Sequence, residues 1–95
     1  MLIEAPYKVG DTVTIKTAAG EEIIARLDSE EGSKLKIKKP MALTAANGGL
    51  GLVPWAFTVD QESIITLNTE AVMFIAKTES GMAKQYIEST TGLTV

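Results

Sequence analysis

Two separated stretches of this chain, Val13 to Ile37 and Ile64 to Ile75, carry apolar residues at strand spacing and read as the two halves of one small, strongly bent β-barrel. In the first half, a strand over about residues 12–17 sets Val13 and Ile15 on one face and Thr14 and Lys16 on the other. Ala18-Ala19-Gly20 reverses the chain, and a second strand over about residues 22–28 turns Ile23, Ala25 and Leu27 inward and Ile24 and Arg26 outward. The small side chain of Ala25 permits sharp curvature, so that one strand can serve both sides of a barrel. After the polar turn 29–33, Lys34-Leu35-Lys36-Ile37-Lys38 alternates strictly, with Leu35 and Ile37 inward and lysines outside. Pro40 has no N–H to give to a ladder, and is expected to end or bulge this third strand.

An apolar insert of about residues 40–60 follows. It is expected to form a hairpin with arms Met41 to Thr44 and Leu50 to Phe57 around Asn47-Gly48-Gly49. Leu50, Leu52, Val53, Trp55 and Phe57 are too apolar for a solvated loop, so the hairpin should pack on the barrel or on a neighbour. The second half of the barrel, about residues 63–77, contains strands at about 63–67 and 71–77 with a corner at Asn68-Thr69-Glu70. Its last strand is apolar on both faces, Val72 and Phe74 one way and Met73 and Ile75 the other, so the second face needs a cover. Met82, Ala83, Tyr86 and Ile87 recur at helical spacing within a C-terminal helix of about residues 80–89, which Ser80 can cap and beyond which Gly92 blocks continuation. The fold expected is mainly β: one domain over 1–95, a five-stranded bent barrel with a hairpin insert and a short C-terminal helix.

Several functions are removed by composition. With no cysteine and no histidine, the chain lacks disulfides, thiolate chemistry, the usual zinc ligands and the commonest general base. The acidic residues are scattered through turns and strand faces, with no pair in an acid/base context, and Gly48, Gly49 and Gly51 lack the lysine and helix of a phosphate-binding loop. No catalytic residues, metal or cofactor are expected. Neither a membrane span nor a secretory leader is visible, which leads to the expectation of a cytoplasmic protein.

The pattern Val13, Ile15, Gly20, Ile23, Ala25, Leu27, Glu30, Lys34 and Leu35 resembles the first motif of the Sm-like (LSm) RNA-binding family, whose members are small SH3-like barrels. Leu67-Asn68-Thr69 followed by Val72 to Ile75 resembles the second motif, in the right order. Glu30 stands where the family usually has aspartate and Lys34 where it has asparagine; the arginine and glycine of the second motif are replaced by Asn68 and Thr69. The resemblance covers roughly half the chain and is that of a divergent relative of phage or bacterial type. It implies a ring of subunits whose rim turns hold flipped-out bases of single-stranded RNA, with Lys34, Asn68 and Thr69 lining the pore and Glu30 orienting them. Ser33 occupies the place of a stacking side chain. The ring itself would be a homo-oligomer of about five to seven subunits joined through Val72, Met73, Phe74 and Ile75.

The lysine line supports nucleic-acid binding independently. Lys34, Lys36, Lys38 and Lys39 place four of the nine basic residues within six positions, a patch that attracts phosphate if repeated around a ring. In a lone subunit the same lysines would simply solvate a strand face, and the net charge of −3 argues against indiscriminate binding. Trp55, flanked by Val53 and Phe57, is expected to anchor the insert in a groove or at the subunit interface rather than stack on a base. The expected function is RNA processing or chaperoning without catalysis, with DNA as a further ligand. The alternative is a β-barrel adaptor or structural subunit of a viral or multiprotein assembly.

Overall fold

The computed structural model describes residues 7–46 and 48–91; expectations for Met1 to Pro6, Asn47 and Gly92 to Val95 lie outside the described residues. The elements are β1 (Thr12–Thr17), β2 (Glu22–Glu31), β3 (Lys34–Ala46), β4 (Gly49–Pro54), β5 (Ile64–Asn68), a 3₁₀ turn (Thr69–Ala71), β6 (Val72–Lys77) and α1 (Ser80–Thr91). The strands run in the order β4-β3-β2-β1-β6, with β5 added beside β3, and each pairing is antiparallel.

β3 organises the barrel. One of its edges pairs with β2, while the other is shared in succession: Lys34 to Lys38 pair with β5 and Met41 to Ala46 with β4. The switch between partners falls at Lys39-Pro40. Arg26 faces Lys38 but Ile24 faces Met41, so β3 carries one extra residue there. Lys39 has φ +52°, a left-handed conformation that costs a residue with a Cβ about 1–2 kcal/mol. Pro40 therefore bulges the strand as its missing donor requires, but does not end it. The insert's first arm is thus a continuation of β3 rather than a separate element.

Val13, Ile15, Ile23, Ala25, Leu27, Leu35 and Ile37 form the core, each at most 2% exposed, as their alternation predicts. Tyr7, Ala42, Trp55, Ile65, Leu67, Val72 and Ile75 pack around them. Each such buried Val, Leu or Ile contributes roughly 1.5–3 kcal/mol by leaving water.

Two expectations about strand faces are corrected. Ile24 does point away from the core cluster, but it is 2% exposed rather than solvated. α1 is tied to β3 by the Tyr86 hydroxyl, which donates to the carbonyls of Lys39 (2.7 Å) and Lys38 (3.2 Å). In β6, Val72 and Phe74 do not share a face. Lys16 faces Phe74 and Thr17 faces Val72, leaving Met73 as the extra residue of a bulge. The bulge shifts the phase, so Val72 and Ile75 pack on the core while Met73 and Phe74 are 67% and 50% exposed.

The cap of α1 also differs from expectation. The Glu79 carboxylate, not Ser80, accepts from the free N–H groups of Gly81 (2.7 Å) and Met82 (3.0 Å), and these bonds hold its pKa below the ordinary glutamate value. Ser80 is the first helical residue, and the helix runs two residues past the expected Ser89. Just before it, Thr78 is buried and shares a 2.9 Å hydrogen bond with the hydroxyl of Thr14.

Burial pushes the Tyr86 hydroxyl up to about 12, with the nearby Arg26 charge offsetting only part of the effect. In the unfolded chain the same hydroxyl ionises near pH 10. Because the folded value is the higher one, the contribution is intact below pH 10 and is lost as pH rises toward 12, a loss of about 3 kcal/mol. Urea unfolding at about pH 9 and about pH 12 is expected to show this loss in the wild type and not in Tyr86→Phe, which has no proton to release.

Candidate functional site

Two turns meet at one end of the barrel. The β2–β3 turn runs through Gly32, whose φ of +56° makes the tight reversal, and the β5–β6 turn is the 3₁₀ segment after Asn68. They are joined where β3 and β5 pair. Lys34 lies opposite Asn68, and the Thr69 N–H donates to the Ser33 carbonyl at 2.9 Å. Residues 34 positions apart in sequence thus stand side by side, and three of the expected rim residues, Lys34, Asn68 and Thr69, are brought together. The Asn68 side-chain oxygen accepts from Glu70 N–H (3.1 Å), which fixes the side chain and leaves its amide N–H groups as donors. Lys34 and Asn68 are exposed, and Thr69 is half-buried.

Glu30 is held by a residue that the sequence reading overlooked. The Tyr7 hydroxyl donates to both of its carboxylate oxygens at 3.2 Å while the Tyr7 ring packs on the core. Desolvation first, then the charge and hydrogen bond of Glu30, raise the Tyr7 pKa above its ordinary value. The only sequence signal for Tyr7 was its place at the end of the apolar N-terminal segment. Glu30 itself sits across the turn from Leu35, one pair removed from the Glu31–Lys34 pair.

The lysine line is spread along β3. Lys34 is at the rim, and Lys36 and Lys38 follow along β3 opposite Thr66 and Ile64 of β5. Strand geometry of about 3.3 Å per residue sets Lys38 about 13 Å from Lys34. Lys39 is separated further by its left-handed backbone, and its ammonium lies 3.7 Å from the Glu62 carboxylate.

Trp55 and the four β6 residues expected at a subunit interface are placed unequally. Trp55, Val72 and Ile75 are half-buried against the chain's own core, and the Trp55 indole N–H donates to Glu21 at 3.2 Å. Met73 and Phe74 are the exposed pair. Among the described residues both β6 and β5 have one strand edge without a partner, and Ile64 of β5 is 49% exposed. The outer part of the insert is also uncovered: Leu50, Val53, Phe57 and Val59 are all exposed. Among the described residues no group of three or more Asp, Glu, His or Cys is placed to hold a metal ion, and no helix is long and apolar enough to cross a membrane.

No protein-family model and no curated protein matches this sequence. Solved structures do. A heptameric archaeal Sm protein is 18% identical, with 75% of this chain and 90% of that one covered and a TM-score of 0.52. The P. aerophilum SmAP1 heptamer is 18% identical, with 76% of this chain and 84% of that one covered and a TM-score of 0.53. At such identity the likeness is one of backbone, in keeping with the bent antiparallel strands described above. This chain therefore has a divergent Sm-like fold.

Proposed function

We propose that this protein is a non-catalytic, cytoplasmic RNA-binding protein that assembles into a closed ring of identical subunits and holds single-stranded RNA at the rim formed by its two meeting turns. The observation that carries this reading is the pairing of Lys34 with Asn68, tied by the Thr69–Ser33 hydrogen bond. It puts one cation, one amide and one hydroxyl on neighbouring turns, a set suited to a phosphate and a base edge. The free edges of β5 and β6 support the ring: an unlike-edge contact of β6 with the next subunit's β5 is head-to-tail and closes on itself if the rotation allows. The two structural neighbours are heptamers, which favours about seven subunits.

Ser33 offers no ring for a base to stack on, which forfeits about 1–3 kcal/mol per base and points to moderate affinity with weak base preference. DNA is accordingly a plausible second ligand, and RNA processing or chaperoning is the role that fits. The test is fluorescence anisotropy with labelled hexauridylate. Lys34→Ala combined with Asn68→Ala is expected to weaken binding about tenfold or more and to flatten its salt dependence, because each subunit loses one phosphate partner. Unchanged binding would move the site away from the turns. The exposed Leu50, Val53, Phe57 and Val59 favour a second reading, a structural adaptor that docks through its insert and binds no oligonucleotide.

A further inference from the structure

Lys39 stands five residues along β3 from Lys34, away from the two meeting turns. It sits at the bulge in the middle of β3, where it borders a cavity of about 400 Å³ between the base of the insert, the loop before β5 and the end of α1. The volume is within the range of sites that take small organic ligands, about 300–1,000 Å³. Met41, Leu52, Pro54, Val59 and Ile65 give the cavity an apolar lining. Lys39 is the one cation on its wall, and Gln61 adds an amide with no hydrogen-bond partner among the described residues. Its carboxylate is Asp60, of which one oxygen already accepts from Glu62 N–H at 2.8 Å.

We infer that this cavity binds a nucleoside monophosphate, with the base on the apolar lining, its polar edge at Gln61 and the phosphate at Lys39. Each part of the ligand answers a feature of the wall. A flat apolar body suits proline and aliphatic surfaces, an edge carrying both donors and acceptors suits a primary amide, and a single anion suits a single cation. The Lys39–Glu62 ion pair is no obstacle. At 3.7 Å it is longer than a charge-assisted hydrogen bond, and the Glu62 side chain is 70% exposed, so an incoming phosphate displaces a weak surface contact. The left-handed backbone is the second observation. Glycine would occupy it without strain, yet a lysine stands there beside the cavity, and strain of this kind gathers at ligand sites. The site shares no residue with the rim and does not rest on the rim reading.

The nucleotide has two sources, free in solution or within a bound strand, and one NMR titration of labelled protein separates them. Uridine 5′-monophosphate is expected to shift the amides of Met41, Leu52, Gln61 and Ile65 saturably, and uridine lacking the phosphate to bind about tenfold more weakly. Lys39→Gly suits the positive φ and should fold as the wild type does, while weakening the mononucleotide about tenfold. Gln61→Leu, at an exposed position, should weaken it about fivefold. Displacement by hexauridylate assigns the site to a bound strand, and lack of displacement assigns it to the free nucleotide; either supports the inference. No shift up to about 10 mM, equal shifts from inorganic phosphate alone, or an unchanged affinity in Lys39→Gly would overturn it. Loss of hexauridylate binding at the turns with these shifts retained would refute the rim proposal and leave this one standing.

Discussion

Met73→Glu combined with Phe74→Glu is expected to reduce the protein to a folded monomer and to cut its RNA affinity by about a hundredfold or more. The two side chains are 67% and 50% exposed in the isolated chain, so glutamates there meet water and leave the barrel intact. In the proposed ring the same positions would lie on the strand that joins neighbouring subunits. Each junction would then take up two unpaired carboxylates, at several kcal/mol apiece, and the penalty recurs at every junction. RNA affinity falls with it because a strand that engages several rims gains from their linkage, whereas one rim acts alone. Light scattering coupled to size exclusion, with circular dichroism as the check on folding, measures the first effect, and anisotropy with hexauridylate the second. A wild type that is monomeric at all concentrations, or a variant that stays in the ring, would remove β6 as the joining strand and favour the adaptor.

Tyr86→Ala is expected to cost about 3–5 kcal/mol, the usual loss when a buried aromatic is deleted. For a domain of this size that lowers the melting temperature by about 12–30 °C. Tyr86 is 1% exposed and is the only buried residue of α1 among those described, so it is the point where the helix is fastened to the sheet. Its removal leaves a void and frees the Lys38 and Lys39 carbonyls. Tyr86→Phe keeps the ring in place and gives up only the hydroxyl, so it should cost about 1 kcal/mol near neutral pH. Chemical denaturation of the two variants separates packing from hydrogen bonding. If Tyr86→Ala melts with the wild type, α1 is an accessory to the barrel.

The part of the candidate site that was legible in sequence was its membership. Lys34, Asn68 and Thr69 were named from motif order, and the structure brings their backbones together because β3 and β5 pair in register. Tyr7 was not legible. Its grip on Glu30 joins residues 23 positions apart, and a single tyrosine after a short apolar segment carries no periodic signal. Lys39 was grouped with the other lysines on sequence proximity alone. The structure sets it apart from them because a residue inserted before Pro40 changes the direction of the backbone, and alternation does not register such an insertion.

By itself the sequence determined which side chains enter the barrel and where the chain turns. Val13, Ile15, Ile23, Ala25, Leu27, Leu35 and Ile37 follow from period-two alternation, and the turns follow from glycine and polar clusters, because both act within a few residues along the chain. Tertiary structure decided what covers the other faces. Ile24 is buried although it stands outside the core cluster, the phase of β6 is shifted by a bulge against β1, and β3 reaches into the insert because β4 is there to pair with it. The physical reason is that a strand has two faces and two edges, and local pattern specifies only the face that meets its own core.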